Sequence, residues 1–301
     1  MENQETFDVV IIGGSYAGLS AALALGRDIR RVLVLDSGQP CNRQTPHSHN
    51  FLTQDGSTPA AIAAQARAQM LAYPTVEHRN EAVVAVAGAD NRFSVTTATG
   101  AVVLARKLLF ATGVRDLMPA IPGFAESWGI SVIHCPYCHG YEYRGQPTGI
   151  LLNGDAAFEQ ARLIRNWTDK LTIFTDGAST IQPAQRQQLA ASQVAVEEVP
   201  VLQLAHHGGA LTHAVLADGR QLPLAALYAR PAFEQHCALP LDLGCAHTEA
   251  GYIEVDELQK TSVAGIYAAG DATTMRRAVT VAVTAGTMAG AFLNHELLTP
   301  A

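Results

Sequence analysis

Short apolar runs rich in β-branched residues alternate along this chain with glycine-marked turns and small-residue helical stretches, the pattern of strands buried on both faces of a parallel sheet. Residues 7–12 (Phe-Asp-Val-Val-Ile-Ile) predict such a strand. Glycine follows at once, then a helix over residues 19–27 and a second strand over 31–35 that ends at Asp36. Residues 58–72 predict a helix with alanine-rich faces. Residues 76–86, 92–97 and 101–105 predict a β-meander with turns at Ala89-Asp90-Asn91 and Thr99-Gly100. An apolar strand over 107–111 runs into Ala111-Thr112-Gly113, where a backbone can come close to a cofactor.

The stretch Pro119-Ala120-Ile121-Pro122-Gly123 extends neither a helix nor a strand and reads as a linker. Beyond it a strand over 149–152, a turn at 153–157, a helix over 158–166 and a strand over 171–175 repeat the opening βαβ architecture. Strands over 194–201, 211–216 and 224–229 complete a smaller unit, with His206-His207-Gly208-Gly209 as a hairpin loop. Residues 252–256 alternate as a short strand, another ends in Ala269-Gly270-Asp271, and residues 278–293 form a helix with many small residues. The pattern is that of an α/β chain with two Rossmann-like, three-layer nucleotide-binding domains.

Composition narrows the class. At 301 residues the chain is long enough for two cores, and with 16% charged and 6% aromatic residues it suits close-packed α/β layers. A net charge of -7 argues against a nucleic-acid partner. No apolar run approaches the ~18 residues of a membrane span. Five cysteines with one tight pair fit a cytoplasmic protein with a working thiol pair better than a secreted disulfide framework. Residues 1–7 are polar and acidic, unlike an export leader.

Two motifs carry chemistry. Gly13-Gly14-Ser15-Tyr16-Ala17-Gly18 between strand and helix is a dinucleotide fingerprint with Ser15 in place of the second glycine. Asp36 lies near the ~20-residue spacing at which an acid accepts from a ribose hydroxyl. The polar stretch from Cys41 to Asn50 follows it and could line the cofactor. The second motif is His134-Cys135-Pro136-Tyr137-Cys138-His139-Gly140-Tyr141-Glu142. Its spacing alone suits a redox pair, a c-type haem attachment or half of a zinc site. Haem attachment requires export, and zinc requires a second pair that Cys41, Cys237 and Cys245 do not form, so the surrounding chain favours redox use and no metal. In the second βαβ the turn is degraded, with Leu152 where the first glycine would stand and only Gly154 in place.

Together these residues resemble the low-molecular-weight thioredoxin reductase family, including relatives that oxidise dithiol natural products such as gliotoxin and holomycin. The resemblance rests on the order of Gly13 to Gly18, Asn50, Ala111-Thr112-Gly113, Cys135 to Cys138, Ala269-Gly270-Asp271 and Arg276-Arg277-Ala278. It implies a discontinuous FAD domain, residues 1–117 and 246–301, with a cysteine-bearing, NAD(P)-binding-like domain over 118–245 inserted into it. It implies FAD binding through Gly13, Ser15, Ala17, Gly18, Asp36, Asn42, Arg43, Asn50, Val83, Ala111, Thr112, Gly113, Gly270, Asp271, Arg277 and Ala278. It also implies that Cys135 and Cys138 exchange electrons with the flavin, that the protein is a homodimer, and that its partner is a thioredoxin-like protein or a small-molecule dithiol or disulfide.

Two departures shape the expected activity. The family usually places an acid after the second cysteine; here His139 stands there and can exchange the thiol proton. NADPH users carry arginines after the second strand of the inserted domain. Here Thr175-Asp176-Gly177-Ala178-Ser179 presents an acid that would repel a 2'-phosphate, so NADPH is disfavoured and NADH remains possible. The expected activity is FAD-dependent thiol/disulfide oxidoreduction, supplied with electrons by NADH or a carrier such as ferredoxin. The alternatives are a dithiol oxidase using oxygen and, from another class, a flavin-binding redox sensor.

Overall fold

The structure is a computed structural model and describes residues 5–298, so the first four residues of the leader comparison lie outside the described residues. The chain forms two compact units. The first combines residues 1–43, 51–115 and 233–301; the second combines 44–50 with 116–232. The chain thus re-enters the first unit at Ala232/Phe233, upstream of the residue 246 suggested by sequence, and a loop from the first segment is claimed by the second unit.

In the first unit β1 (Thr6–Ile12), β2 (Val32–Leu35) and β3 (Val76–Arg79) run parallel, with α1 (Tyr16–Arg27) crossing between β1 and β2. The strands β4 (Val83–Ala89), β5 (Arg92–Thr97) and β6 (Val102–Phe110) fold as an antiparallel meander. Among the described residues one sheet orders them β3-β2-β1-β6-β5-β4, with the strand Ile266–Ala268 paired to β6. The helix α2 (Pro59–Leu71) starts at Thr58, whose hydroxyl accepts from the Ala61 N–H. The C-terminal helix Val279–Leu298 lies along α1, and a Cβ on its Gly286 would come within 2.1 Å of the Ala17 carbonyl oxygen. Ile11, Leu19, Ala21 and Leu25 meet Ala285, Ala289 and Leu293 in one buried cluster.

The second unit holds a five-stranded parallel sheet ordered Ala195–Glu197, Leu171–Phe174, Thr148–Leu151, Ala226–Ala229, Val132–Ile133. The helix Gly154–Ile164 forms its βαβ crossover, and Ile150, Ala157, Ala161 and Ile173 build its core. A separate antiparallel sheet, Val201–His207, Ala210–Leu216 and Gln221–Pro223, turns at the expected Gly208-Gly209 hairpin.

Five sequence-based elements require correction. Residues 76–86 are two strands, β3 and β4, on opposite edges of the sheet, because the polar break at Asn80-Glu81 ends the parallel ladder. Residues 101–105 and 107–111 are instead the single strand β6, which pairs with β1 over 104–110 on one edge and, on the other, with β5 over 102–105 and with Ile266–Ala268 over 108–110. Its interior charge misleads: Lys107 is buried and neutralised by Asp90 and Glu296. Residues 194–201 divide at Pro200, which has no N–H to give a ladder. Residues 252–256 form only an isolated bridge, His247 to Ile253, with Ile253 N–H donating to the Ala272 carbonyl. The helix Pro183–Ala191 has no counterpart in the sequence reading.

Candidate functional site

The register of the first sheet sets Ile12 opposite Leu35 and Phe110, and Phe110 opposite Ala268. The next residue on each strand is therefore Gly13, Asp36, Ala111 and Ala269, grouped outside the carboxyl ends of the strands, where open α/β sheets bind ligands. Gly13 turns with φ 107°. A Cβ there would meet the Ala111 carbonyl oxygen at 2.3 Å, and one on Gly18 would meet that of Gly13 at 1.9 Å. Ser15 is the N-cap of α1 and makes no side-chain capping bond, which leaves the helix entrance open to an anion.

Most of the other predicted cofactor residues belong to this same unit. A Cβ on Gly14 would touch the Asp36 Cβ at 2.8 Å, and one on Gly270, at φ 80°, would lie 3.0 Å from the Ala17 Cβ. Asp271 accepts from the Cys41 thiol at 3.6 Å, and Arg277 Nε lies 3.5 Å from its carboxylate. Asn42 donates to the Tyr16 hydroxyl at 3.2 Å, while Arg43 donates to the Pro40 carbonyl. Val83 opens β4 and packs on the core, Gly113 turns at φ 66°, and Ala278 accepts the first bond of the C-terminal helix, from Ala282 N–H. Asn50 belongs instead to the second unit, exposed and at φ 59°.

The buried Thr112 hydroxyl has no protein partner among the described residues. A buried hydroxyl beside a glycine turn, an open helix entrance and a ribose-spaced acid together fit an FAD pyrophosphate and ribose. His78 was missed by the sequence reading. Its Nε2 is buried without a partner among the described residues, and burial and Arg67 lower its pKa while Asp36 raises it.

In the second unit Cys135 caps the short helix Pro136–His139, and Pro136 sets its first turn. Cys138 N–H donates to the Cys135 carbonyl at 3.2 Å. The turn sits on Trp167: a Cβ on Gly140 would strike its indole at 2.8 Å, and Tyr137 meets it edge-on at 6.0 Å. The Cys135 thiol is lowered to about 7, first by a hydrogen bond from the Cys138 side chain, against burial, and further by the N–H groups of Cys138 and Tyr137. Such a thiol is half ionised near neutral pH.

His139 has its pKa lowered to about 4 by burial, then by His134 and His49, while Glu142 opposes them. It is therefore neutral at physiological pH, with a ring nitrogen free of a proton. The reach of His49 to this site was not visible in the sequence, since it lies in the polar stretch after Asp36. Here its Nε2 stands 3.6 Å from Glu142, and its ring meets that of His139 edge-on at 6.5 Å. Among the described residues no three His, Cys, Asp or Glu side chains converge as a metal site. No helix among them is long and apolar enough to cross a membrane.

The inserted βαβ turn is tied internally. Asn153 Oδ1 accepts from the N–H groups of Gly154 and Thr180, each at 2.8 Å, and its amide donates to the Ala178 carbonyl at 3.0 Å. Asp176, the acid in place of the family's arginines, accepts from Val201 N–H at 3.0 Å.

The chain matches the pyridine nucleotide-disulphide oxidoreductase family model over residues 7–289. It is 32% identical to the thioredoxin reductase sirT of Leptosphaeria maculans, over 97% of this chain and 94% of that one. Of solved structures, an oxidoreductase from Agrobacterium tumefaciens superimposes with a TM-score of 0.92 at 39% identity, covering 98% of this chain and 100% of that one. HlmI superimposes with a TM-score of 0.90 at 35% identity, covering 99% and 94%. These matches bear out the paired Rossmann-like fold and the resemblance drawn from the motifs.

Proposed function

The chain belongs to the pyridine nucleotide-disulphide oxidoreductase family, and from that premise we propose that it is an FAD-dependent thiol/disulfide oxidoreductase of thioredoxin reductase type. The observation that carries this reading is the Cys135–Cys138 turn, in which Cys135 caps the short helix Pro136–His139 and Cys138 N–H donates to the Cys135 carbonyl, with the Cys135 thiol lowered to about 7. Cys135 attacks or leaves as a thiolate, and His139 takes or returns the proton. FAD, when bound, supplies the two-electron acceptor or donor for the cysteine pair. We assign its binding to the unit around Gly13, Asp36 and Thr112, and thiol exchange to the unit around Cys135. The partner on this reading is a thioredoxin-like protein or a small dithiol or disulfide, met by a cytoplasmic homodimer.

A second reading, a dithiol oxidase that passes electrons to oxygen, is favoured by one observation. In the turn that would receive a nicotinamide nucleotide's phosphates the Gly154 N–H is already bonded to Asn153 Oδ1, and Asp176 would repel a 2'-phosphate. NADH therefore suits the inserted domain better than NADPH, and a dithiol needs neither.

Anaerobic mixing separates the readings. Bleaching of the flavin by NADH within seconds supports a reductase, and bleaching by dithiothreitol alone supports an oxidase. Cys138→Ser should abolish thiol-dependent bleaching; undiminished bleaching would remove the cysteine pair from the pathway. Sustained turnover of any small dithiol excludes a non-enzymatic sensor.

A further inference from the structure

Thiol exchange at this pair leaves protons to be disposed of. A substrate thiol gives its proton to a base, and its sulfur attacks Cys135 of the oxidised pair. The Cys135–Cys138 bond breaks, and Cys138 leaves with the electron pair. The second substrate thiol loses its proton and closes the substrate disulfide, releasing Cys135 as a thiolate. Two electrons have then passed to the cysteine pair and two protons have been set free. The hydrogen bond between Cys138 and Cys135 retains one proton. The other must leave a half-buried pocket.

We propose that His49, held by Glu142, is the positioning residue and proton outlet of His139, passing its proton through His47 to solvent. This rests on the thiol-exchange reading above. Three imidazoles form a file that reaches the surface: His139 and His49 are half-buried, the latter with 22% of its side chain exposed, and His47 is exposed. Ring centroids are 6.5 Å apart from His139 to His49 and 6.4 Å from His49 to His47, a span that one bridging water closes between ring nitrogens. Glu142, 3.6 Å from His49 Nε2, gives an imidazolium at His49 a counter-charge.

The placement is built into the fold of this unit. The 44–50 loop belongs to it, and a Cβ on Gly129 would crowd Gln44 and Thr45 at 3.0 Å, so the loop lies against the Gly129 turn. Within the same loop Ser48 is buried, so His47 and His49 flank an anchored residue. The groups that act electrostatically on His139 are His134, Glu142 and His49. The buried phenol of Tyr228 has its pKa raised first by burial and then by the charges of Cys135, Tyr143, Glu142 and Cys138.

The test uses the full-length holoenzyme with its cysteine pair oxidised, and follows disulfide reduction by dithiothreitol through acid quench and alkylation, a readout that needs no flavin turnover. His49→Ala should slow reduction about tenfold, and free imidazole should restore it; His49→Gln, which keeps a hydrogen bond without carrying a proton, should stay slow. NMR titration of His139 adds an equilibrium readout. It should move upward in His49→Ala and downward in Glu142→Gln. Unchanged exchange in His49→Ala, a loss that imidazole does not restore but glutamine does, or a His139 titration indifferent to both variants would each overturn the inference. A wild-type pair that never exchanges with dithiols would overturn the functional reading itself, whereas normal wild-type exchange with indifferent variants overturns only the role of His49.

Discussion

Gly18 stands against Gly13 so closely that a Cβ on Gly18 would lie 1.9 Å from the Gly13 carbonyl oxygen. Backbone, unlike a flexible side-chain tip, cannot yield at that distance without moving the helix entrance. Gly18→Ala should therefore displace the start of α1 from the glycine turn, costing about 1–3 kcal/mol of stability. It should also lower bound flavin at least ~tenfold, because the pyrophosphate depends on that entrance. Flavin absorbance per mole of purified protein is the measurement, and full flavin content in a folded Gly18→Ala protein would refute the placement of the cradle.

Cys138 is the largest influence on the Cys135 thiol, which it lowers to about 7 from an ordinary value of 9.0. Cys138→Ala removes the side-chain hydrogen bond but leaves the Cys138 and Tyr137 N–H donors. The thiol should move part of the way back up. Each unit of pKa changes the thiolate fraction below the pKa about tenfold. Iodoacetamide should accordingly label Cys135 in Cys138→Ala about tenfold more slowly at neutral pH, with the two proteins converging in alkali. Coincident labelling curves would mean that the backbone donors alone set the thiol.

The opening βαβ unit could be read from sequence because each of its features is local: an apolar strand, a glycine turn, a helix, and an acid at ribose spacing. The cysteine turn was legible for the same reason, since Pro136 and the spacing of Cys135 and Cys138 specify it without distant help. His49 was not. The polar stretch that holds it reads as lining the cofactor, whereas residues 44–50 join the second unit, and Glu142 meets His49 only through tertiary folding. The continuity of β6 through Lys107 was not legible either, because Asp90 and Glu296, which allow the charge to sit inside the strand, are brought to it by folding. Asp176 was legible as an acid after the second strand of the inserted domain, but not as the acceptor of Val201 N–H.

Asn153 holds the inserted turn together from both ends, accepting from Gly154 and Thr180 and donating to Ala178. Alanine there strands two amide donors and a carbonyl. We expect Asn153→Ala to lose about 1–3 kcal/mol, several degrees in Tm by calorimetry. Asn153→Asp keeps the acceptor but sets a carboxylate oxygen against the Ala178 carbonyl, so it should fall between alanine and wild type. A Tm within a degree of wild type for Asn153→Ala would show that water replaces the network at no loss.

Glu296 joins the two halves of the first unit's charge network. Burial pushes its carboxyl up, but hydrogen bonds from Lys107, Lys260 and Tyr267 hold it down at about 2 against an ordinary 4.5. Lys107 Nζ lies 2.6 Å from it and is itself only 3% exposed. A carboxyl depressed by folding contributes stability that is complete above its unfolded value and disappears as pH falls through its folded one, here between 4.5 and about 2. At full weight that contribution is about 3 kcal/mol; with a fifth of the side chain in water, about 2 kcal/mol is expected. Chemical denaturation of wild type and Glu296→Gln across the acid range measures it directly. The gap between them should be widest near neutrality and close steadily below pH 4.5, whereas parallel curves would place the acid lability of the fold elsewhere.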